Sequence, residues 1–335
     1  MFNFLFSETP LFFFIQSIWR DEAFSYLLAK KNIAEIIFLT AKDYNPPFYY
    51  IILHFWIKIF GSSEIALRSL SLIFYLATIY IIFLFLTNIF NIKNKLFLLL
   101  SVICFITNPV LIYYAFEARM YTILAFFSVL SSYTFLKENK KIYFLSLIFG
   151  LFTHYFMFFI FISQLLTYFF FKIKFKKINL NFFIYSLICF LIWVIFIFFQ
   201  NHQLINNKFW IKKQEVKDIK NFAAILYTGY EKYFNVNYKK ISEFSIFLYL
   251  IISLIFLIKK RNIFKKKVIF FYLFLSGFII PFIIFIFSFF KPIFLPRYII
   301  GQTVLFLLLT IYPVSYTHLR AHETPEHLVC RLLLE

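Results

Sequence analysis

The sequence predicts an all-α protein: a polytopic bundle of about ten membrane-spanning helices. Three observations predict it. Apolar residues make up 62% of the 335 positions, 56 of them phenylalanine, and mean hydropathy is +0.83. Apolar runs of about 18 or more residues recur along the whole length, each long enough to cross a bilayer as a helix. Lys and Arg gather between those runs, the pattern by which membrane proteins set their orientation.

A bilayer leaves no water for unsatisfied backbone groups, so helices and closed barrels are the structures that span it. A barrel would alternate apolar and polar residues in short segments. The runs here are solidly apolar, which excludes it. The net charge of +19 would suggest nucleic acid in a soluble protein. In this chain the basic residues lie between apolar runs, so the expected partner is membrane lipid and no nucleic acid. The excess of Phe, Ile, Lys, Asn and Tyr fits AT-rich coding and says nothing of function.

Residues 1–18 read as a short first span, since no basic n-region or small-residue cleavage site marks a signal peptide. Residues 19–62 form a first outer loop carrying amphipathic juxtamembrane helices. Asp21 to Lys31 and Ile33 to Lys42 are two of these, and Asn45-Pro46-Pro47 stops the second, because the residue before a proline is pushed out of helical geometry. Phe48 to Phe60 is too short to cross comfortably and holds His54 and Lys58, so it lies along the interface. Full spans are expected at 65–90, 95–112, 119–136, 179–199, 243–258, 268–290 and 298–313.

The apolar stretch 142–171 is flanked on both sides by lysines: Lys137, Lys140 and Lys141 before it, and Lys172, Lys174, Lys176 and Lys177 after it. Two cytoplasmic flanks require an even number of crossings, hence a tight hairpin turning near Gly150 to His154. One long tilted helix ranks second. The hairpin brings Lys93/Lys95, Lys137–Lys141, Lys172–Lys177 and Lys259–Lys267 to one side. The other side receives 19–62, Tyr113–Arg119, His154, the second outer loop 200–242 and Lys291–Arg297. That second loop is also basic, but long loops carry less topological weight. A multi-pass plasma (inner) membrane protein is expected.

From Val314 the chain changes character. Val314-Ser315-Tyr316-Thr317-His318-Leu319-Arg320-Ala321-His322-Glu323-Thr324 resembles a translated sequencing adapter, and Leu328 to Glu335 resembles the adjoining flow-cell sequence. Residues 314–335 are therefore set aside as an artefact tail, and the readable domain is 1–313. The apparent metal cluster of His318, His322, His327 and Cys330 goes with the tail. Cys104 and Cys189 remain, each within an apolar run, and are expected to be buried small hydrophobes without a disulfide.

This topology sorts Asp21, Glu22, Asp43, Glu117, Arg119, His154 and Arg297 to one face, at or near span ends. Charged groups near a bilayer are costly and usually functional. Each has a plainer use as well. Asp21 could cap its helix, Glu22 could orient the loop, and Asp43 could brace the Asn-Pro-Pro turn. Glu117 and Arg119 could pair, His154 could pack in the hairpin, and Arg297 could anchor at the interface. His54 and His202 read as structural. Paired oxygen ligands at Asp21 and Asp43 suit Mg or Mn, but no His/carboxylate spacing commits the chain to a metal.

Six segments, in order, resemble the family 39 glycosyltransferases, which include the protein O-mannosyltransferases and the aminoarabinose transferase of lipid A. Trp19-Arg20-Asp21-Glu22-Ala23-Phe24-Ser25 resembles their acidic first-loop motif. Asp43-Tyr44-Asn45-Pro46-Pro47-Phe48-Tyr49-Tyr50 resembles the second, with Asn45 where His or Lys is common. Gly61-Ser62-Ser63-Glu64-Ile65-Ala66-Leu67-Arg68 is similar to the usual entry to the second span. Tyr113-Tyr114-Ala115-Phe116-Glu117-Ala118-Arg119-Met120-Tyr121, Thr153-His154-Tyr155-Phe156 and Pro296-Arg297-Tyr298 complete the series.

The resemblance implies a GT-C fold and an inverting transfer from a polyprenyl-phosphate sugar donor. The acceptor would be a lipid, protein or polysaccharide outside the cytoplasm, as in cell-envelope glycosylation. It implies Asp21 as catalytic base, with Glu22 and Asp43 as further acidic residues of the site. Arg119 and Arg297 are candidates for the donor phosphate, because a guanidinium fork matches phosphate oxygens. Glu117, His154 and Tyr114 would be further site contacts. The rival readings are a transporter or lipid flippase, and a non-catalytic assembly subunit. Transporters often show internal repeats and helices broken at mid-membrane. The chain shows no internal repeat, and it holds only five glycines.

Overall fold

The computed structural model describes residues 14, 16–200, 211, 214–228 and 264–321. Most of the expected span 1–18, all of 243–258 and most of the loop 200–242 lie outside the described residues. Among the described residues all regular structure is helical. In chain order the helices are α1 (Arg20–Ala29), α2 (Ile33–Lys42), α3 (Phe48–Phe60), α4 (Glu64–Asn88), α5 (Lys95–Ile106), α6 (Pro109–Ala115) and α7 (Tyr121–Leu136). There follow α8 (Lys140–Leu151), α9 (Met157–Phe170), α10 (Leu180–Gln200), α11 (Phe222–Thr228), α12 (Phe264–Phe274), α13 (Ile280–Phe287) and α14 (Ile300–Ala321).

Short polar residues start many of these helices. Asn32, Ser63, Asn94, Asn108 and Asn139 each accept the backbone N–H three residues on, satisfying a donor that the first turn leaves orphaned. The end of α2 comes earlier than the prolines alone require. Tyr44 takes a left-handed φ of 54°, while its N–H bonds to Ala41 and the Asn45 N–H to Thr40. That is a Schellman stop, with tyrosine where glycine is usual.

Among the described residues three helices are long and apolar enough to cross a membrane: Glu64–Asn88, Leu180–Gln200 and the stretch Lys267–Phe287. A fourth crossing arises if α5 and α6, bent by 57° to each other, count as one. The expected single span 95–112 is broken because Asn108 precedes Pro109 and adopts extended geometry, ψ 124°, before capping the next helix. The expected spans 119–136 and 298–313 appear as shorter apolar helices, Tyr121–Leu136 and Pro296–Tyr312. In the third long stretch, residues Leu275–Ile279 widen into a π-helical turn. Pro281 lies four residues beyond Gly277 and has no N–H for its carbonyl, so the widening relieves the clash a regular helix would meet there.

The stretch 142–171 is two helices, α8 and α9, reversing at 152–156. The carboxylate of Glu138 accepts the backbone N–H groups of Lys176 and Lys177, both at 2.7 Å, so the two basic flanks meet. The hairpin therefore describes this stretch and the single tilted helix does not. At the same end the Asn88 amide donates to the Tyr133 hydroxyl at 2.9 Å, and Phe90 packs on Tyr312 with ring centroids 4.8 Å apart.

Helix α7 forms the centre, packed against α4, α8 and α14. Between α7, α8, α9 and α12 runs a buried polar chain. The Tyr143 hydroxyl donates to Gln164 Oε1 (3.1 Å), Gln164 Nε2 donates to Ser131 (3.1 Å) and Tyr272 (3.3 Å), and Ser132 shares a hydrogen bond with Tyr272. Outward surfaces are apolar instead. Along α10, Ile184, Ile188, Ile192, Ile195 and Phe199 are all exposed. A contiguous apolar face of that size suits lipid rather than water. Cys104 is exposed and Cys189 half-buried, both free, which corrects the expectation that they are buried. The backbone stays helical through Ala321, across the change in composition at Val314; side chains beyond Tyr312, and with them the tail's His/Cys group, lie outside the described residues.

Candidate functional site

The end of the bundle away from Glu138 gathers most of the polar residues singled out above. Here α1, the start of α3, the start of α4, the turn 116–120, the α8–α9 turn and the 3₁₀ turn Pro296–Ile299 come together.

Glu22 is the innermost carboxylate, 1% exposed. Its Oε1 accepts from Arg68 Nε and from the Ala118 N–H, both at 2.8 Å, and its Oε2 accepts from Arg68 Nη2. It also accepts the Trp19 N–H at 3.4 Å, closing the first turn of α1. The rest of the Arg68 guanidinium donates to the carbonyls of Phe14, Gln16 and Ser17. A carboxylate held this fully braces α1, α4 and the 116–120 turn, the plainer use open to it from the sequence. Arg68 went without a role in the sequence reading. Its signal was a lone charge at the entry of the first long span.

Asp21 stands beside this brace, half-buried, in the first turn of α1. The helix is closed by Glu22, so Asp21 is not its cap. The Asp21 carbonyl accepts from Arg119 Nη1 at 3.1 Å, and the same nitrogen donates to Ser25 Oγ at 3.3 Å. Asp43 follows the last turn of α2 and accepts from the Asn45 side-chain amide at 2.5 Å. Burial raises its carboxyl above the ordinary value. The Asn45 hydrogen bond and the Arg119 charge pull it down, and the nearby charge of Asp21 pushes it up. Asp21, Asp43 and Arg119 thus lie within electrostatic reach of one another.

Tyr121, which the sequence reading quoted without a role, organises the cationic part. The guanidinium carbons of Arg119 and Arg297 each lie 5.9 Å from its ring centroid. Arg297 also lies 5.8 Å from the Tyr298 ring. Tyr114 packs edge-on to Tyr121 at 4.7 Å. Glu117 is buried in the adjoining turn, where its carbonyl accepts from Ser71 Oγ at 2.6 Å.

His154 sits in the turn joining α8 and α9, its ring 4.8 Å from Tyr298. Its Nδ1 accepts the Phe156 N–H at 3.2 Å. Burial, and then the charges of Arg119 and Arg297, depress its pKa to about 3. At neutral pH it is an uncharged imidazole beside the two arginines, with Nδ1 accepting and its one proton on Nε2. His54 is structural as expected: its Nδ1–H donates to the Ala29 carbonyl at 2.8 Å.

Among the described residues no group of three or more His, Cys, Asp or Glu gathers to hold a metal ion. The charges of Asp21 and Asp43 act on one another, and Asn45 already occupies one Asp43 oxygen. The arrangement offers an acid–base group beside a pair of cations at one end of a lipid-facing bundle. No protein-family model, curated protein or solved structure matches this chain.

Proposed function

We propose that this chain is a membrane glycosyltransferase that moves a sugar from a polyprenyl-phosphate donor to a lipid, protein or polysaccharide acceptor. One observation carries the reading: Arg119 and Arg297 flank a single tyrosine ring at the same end of the bundle as Asp21 and Asp43. In this reading the bundle crosses the plasma membrane about ten times, with the site on the extracytoplasmic side.

The chemistry asks for both groups. As the bond from the sugar's anomeric carbon to the phosphate oxygen breaks, positive charge spreads over the sugar and negative charge collects on the phosphate. Arg119 and Arg297 stabilise that phosphate, at about 3 kcal/mol per well-placed donor. The acceptor oxygen or nitrogen forms its bond on the opposite face of the same carbon, and Asp21 takes its proton. Polyprenyl phosphate leaves with the bonding electrons, and the anomeric centre is inverted.

The broken helices at 107–108 and 275–279 give the transporter reading its one specific observation. At the second break, however, two backbones approach closely. A Cβ on Gly277 would lie 2.6 Å from the Phe306 backbone nitrogen.

Purified protein in lipid nanodiscs, given a polyprenyl-phosphate hexose and an acceptor, is expected to yield glycosylated product. Asp21→Asn removes nearly all turnover and leaves donor binding largely intact; wild-type turnover in that variant would refute the base assignment. Arg297→Ala weakens donor binding by roughly 10- to 100-fold, the range of a charged hydrogen bond.

A further inference from the structure

Three buried tyrosines among the described residues have their hydroxyls matched. Tyr75 donates to the Ile106 carbonyl at 2.7 Å, Tyr143 donates to Gln164, and Tyr272 shares a bond with Ser132. Tyr49, Tyr50 and Tyr155 differ. Their hydroxyl oxygens are buried and make no hydrogen bond of good geometry among the described residues, nor does Arg119 Nε; the polar groups nearest them are Ser25 for Tyr49, the Arg119 guanidinium for Tyr50 and the Trp193 indole for Tyr155.

These groups are neighbours. Tyr49 and Tyr50, both 0% exposed, sit in the first turn of α3 with ring centroids 5.1 Å apart. The charges of Arg119, Asp43 and Asp21 all act on the Tyr50 hydroxyl, and those of Arg119 and Glu22 on Tyr49. Tyr155, in the α8–α9 turn, interacts with Tyr50 and Asp43 and packs in the cluster around Trp193 of α10. The three hydroxyls therefore lie beside the carboxylates and Arg119.

A buried hydroxyl without a partner is destabilising, and phenylalanine would fill the same space without that cost. Phenylalanine is this chain's default aromatic, 56 residues against 23 tyrosines. Tyrosine at three neighbouring positions whose hydroxyls lack a well-formed bond leaves donor and acceptor capacity for a ligand. Phenol groups are uncharged and both donate and accept, so they suit neutral hydroxyls rather than a phosphate. Phosphate is the chemistry of the neighbouring arginines.

We propose that Tyr50 and Tyr155, with Tyr49 beside them, bind the hydroxyl groups of the transferred sugar between the acidic pair and the two arginines. This rests on the donor reading above and adds the residues that recognise the sugar itself.

The test separates the two claims. The full chain in nanodiscs is titrated with polyprenyl phosphate and with polyprenyl-phosphate hexose, binding being read by calorimetry. Wild-type protein is expected to bind the hexose-bearing lipid about tenfold more tightly. The variant Tyr50→Phe/Tyr155→Phe abolishes that margin and leaves the affinity for polyprenyl phosphate unchanged. Tyr75→Phe, at a matched tyrosine, keeps the margin. A double variant that keeps the margin, or loses affinity for both lipids equally, overturns the sugar subsite and leaves the donor reading standing. Wild-type protein that binds neither lipid overturns the donor reading, and the subsite with it. Unfolding midpoints of the single variants confirm that each is folded, so Tyr155→Phe alone decides the matter where the double variant is poorly folded.

Discussion

Arg68 directs its guanidinium to Glu22 and to three carbonyls of the segment leading into α1. Taking two charges out of water is costly, and only such complete pairing compensates. Removing one partner strands the other. Arg68→Ala is expected to cost about 3–5 kcal/mol, seen as a large fall in the unfolding midpoint in detergent; a fall no greater than that of Lys58→Ala would refute the brace. His154 supplies a pH dependence. Its ordinary pKa is 6.5 and its folded value about 3. Between those values the unfolded chain binds more protons, so stability rises with pH. The contribution is complete above the unfolded value and is lost as pH falls toward the folded one. Acidifying from pH 7 to 5 should therefore destabilise the protein by about 2 kcal/mol through this residue. His154→Phe should flatten that slope, and an unchanged slope would show another group is responsible. The sequence marked Asp21, Asp43, Arg119 and Arg297 because charges near a bilayer are rare. It did not separate Asp21 from Glu22, adjacent acids whose difference lies in a partner 46 residues away.

At the scale of elements, the local rules of capping and proline geometry set most boundaries. Helix α3 spans Phe48–Phe60 as read, and α2 spans Ile33–Lys42 as read, because Asn32, Pro47 and Gly61 leave little choice. The break at 107–108 and the π turn at 275–279 went unread, although Pro109 and Pro281 stand in plain view. Hydropathy averages over a window and does not register a missing N–H. Gly277 gives the π turn its close partner. An added Cβ there would meet the Phe306 nitrogen and Cα at 2.6 and 2.8 Å, backbone atoms that cannot turn aside. At Gly150 it would meet only the flexible Met157 side chain. Gly277→Ala is therefore expected to destabilise by about 1–3 kcal/mol, and Gly150→Ala by less. Unfolding midpoints of the two variants in one detergent give the order, and the reverse order would mean that α12–α13 and α14 can separate freely.

Across the whole molecule, two ends emerge from contacts rather than from any membrane coordinate. Glu138 with the Lys176 and Lys177 amides, Asn88 with Tyr133, and Phe90 with Tyr312 mark one end. Glu22 with Arg68, and the arginines around Tyr121, mark the other. The sequence pointed to this grouping through the lysine clusters between apolar runs, although the loop 200–242 assigned to the other side is basic as well. It did not foresee how few of the described helices reach full membrane length, since apolar composition runs on through the turns that end them. The central claim is that the second end performs covalent chemistry. The most direct measurement supplies proteoliposomes with a polyprenyl phosphate carrying radiolabelled hexose and an acceptor, then follows where the label goes. Label joined to the acceptor by wild-type protein, and lost with Asp21→Asn, is the predicted result. Lipid-linked label that crosses the bilayer unchanged, or transfer that persists in Asp21→Asn, would contradict it.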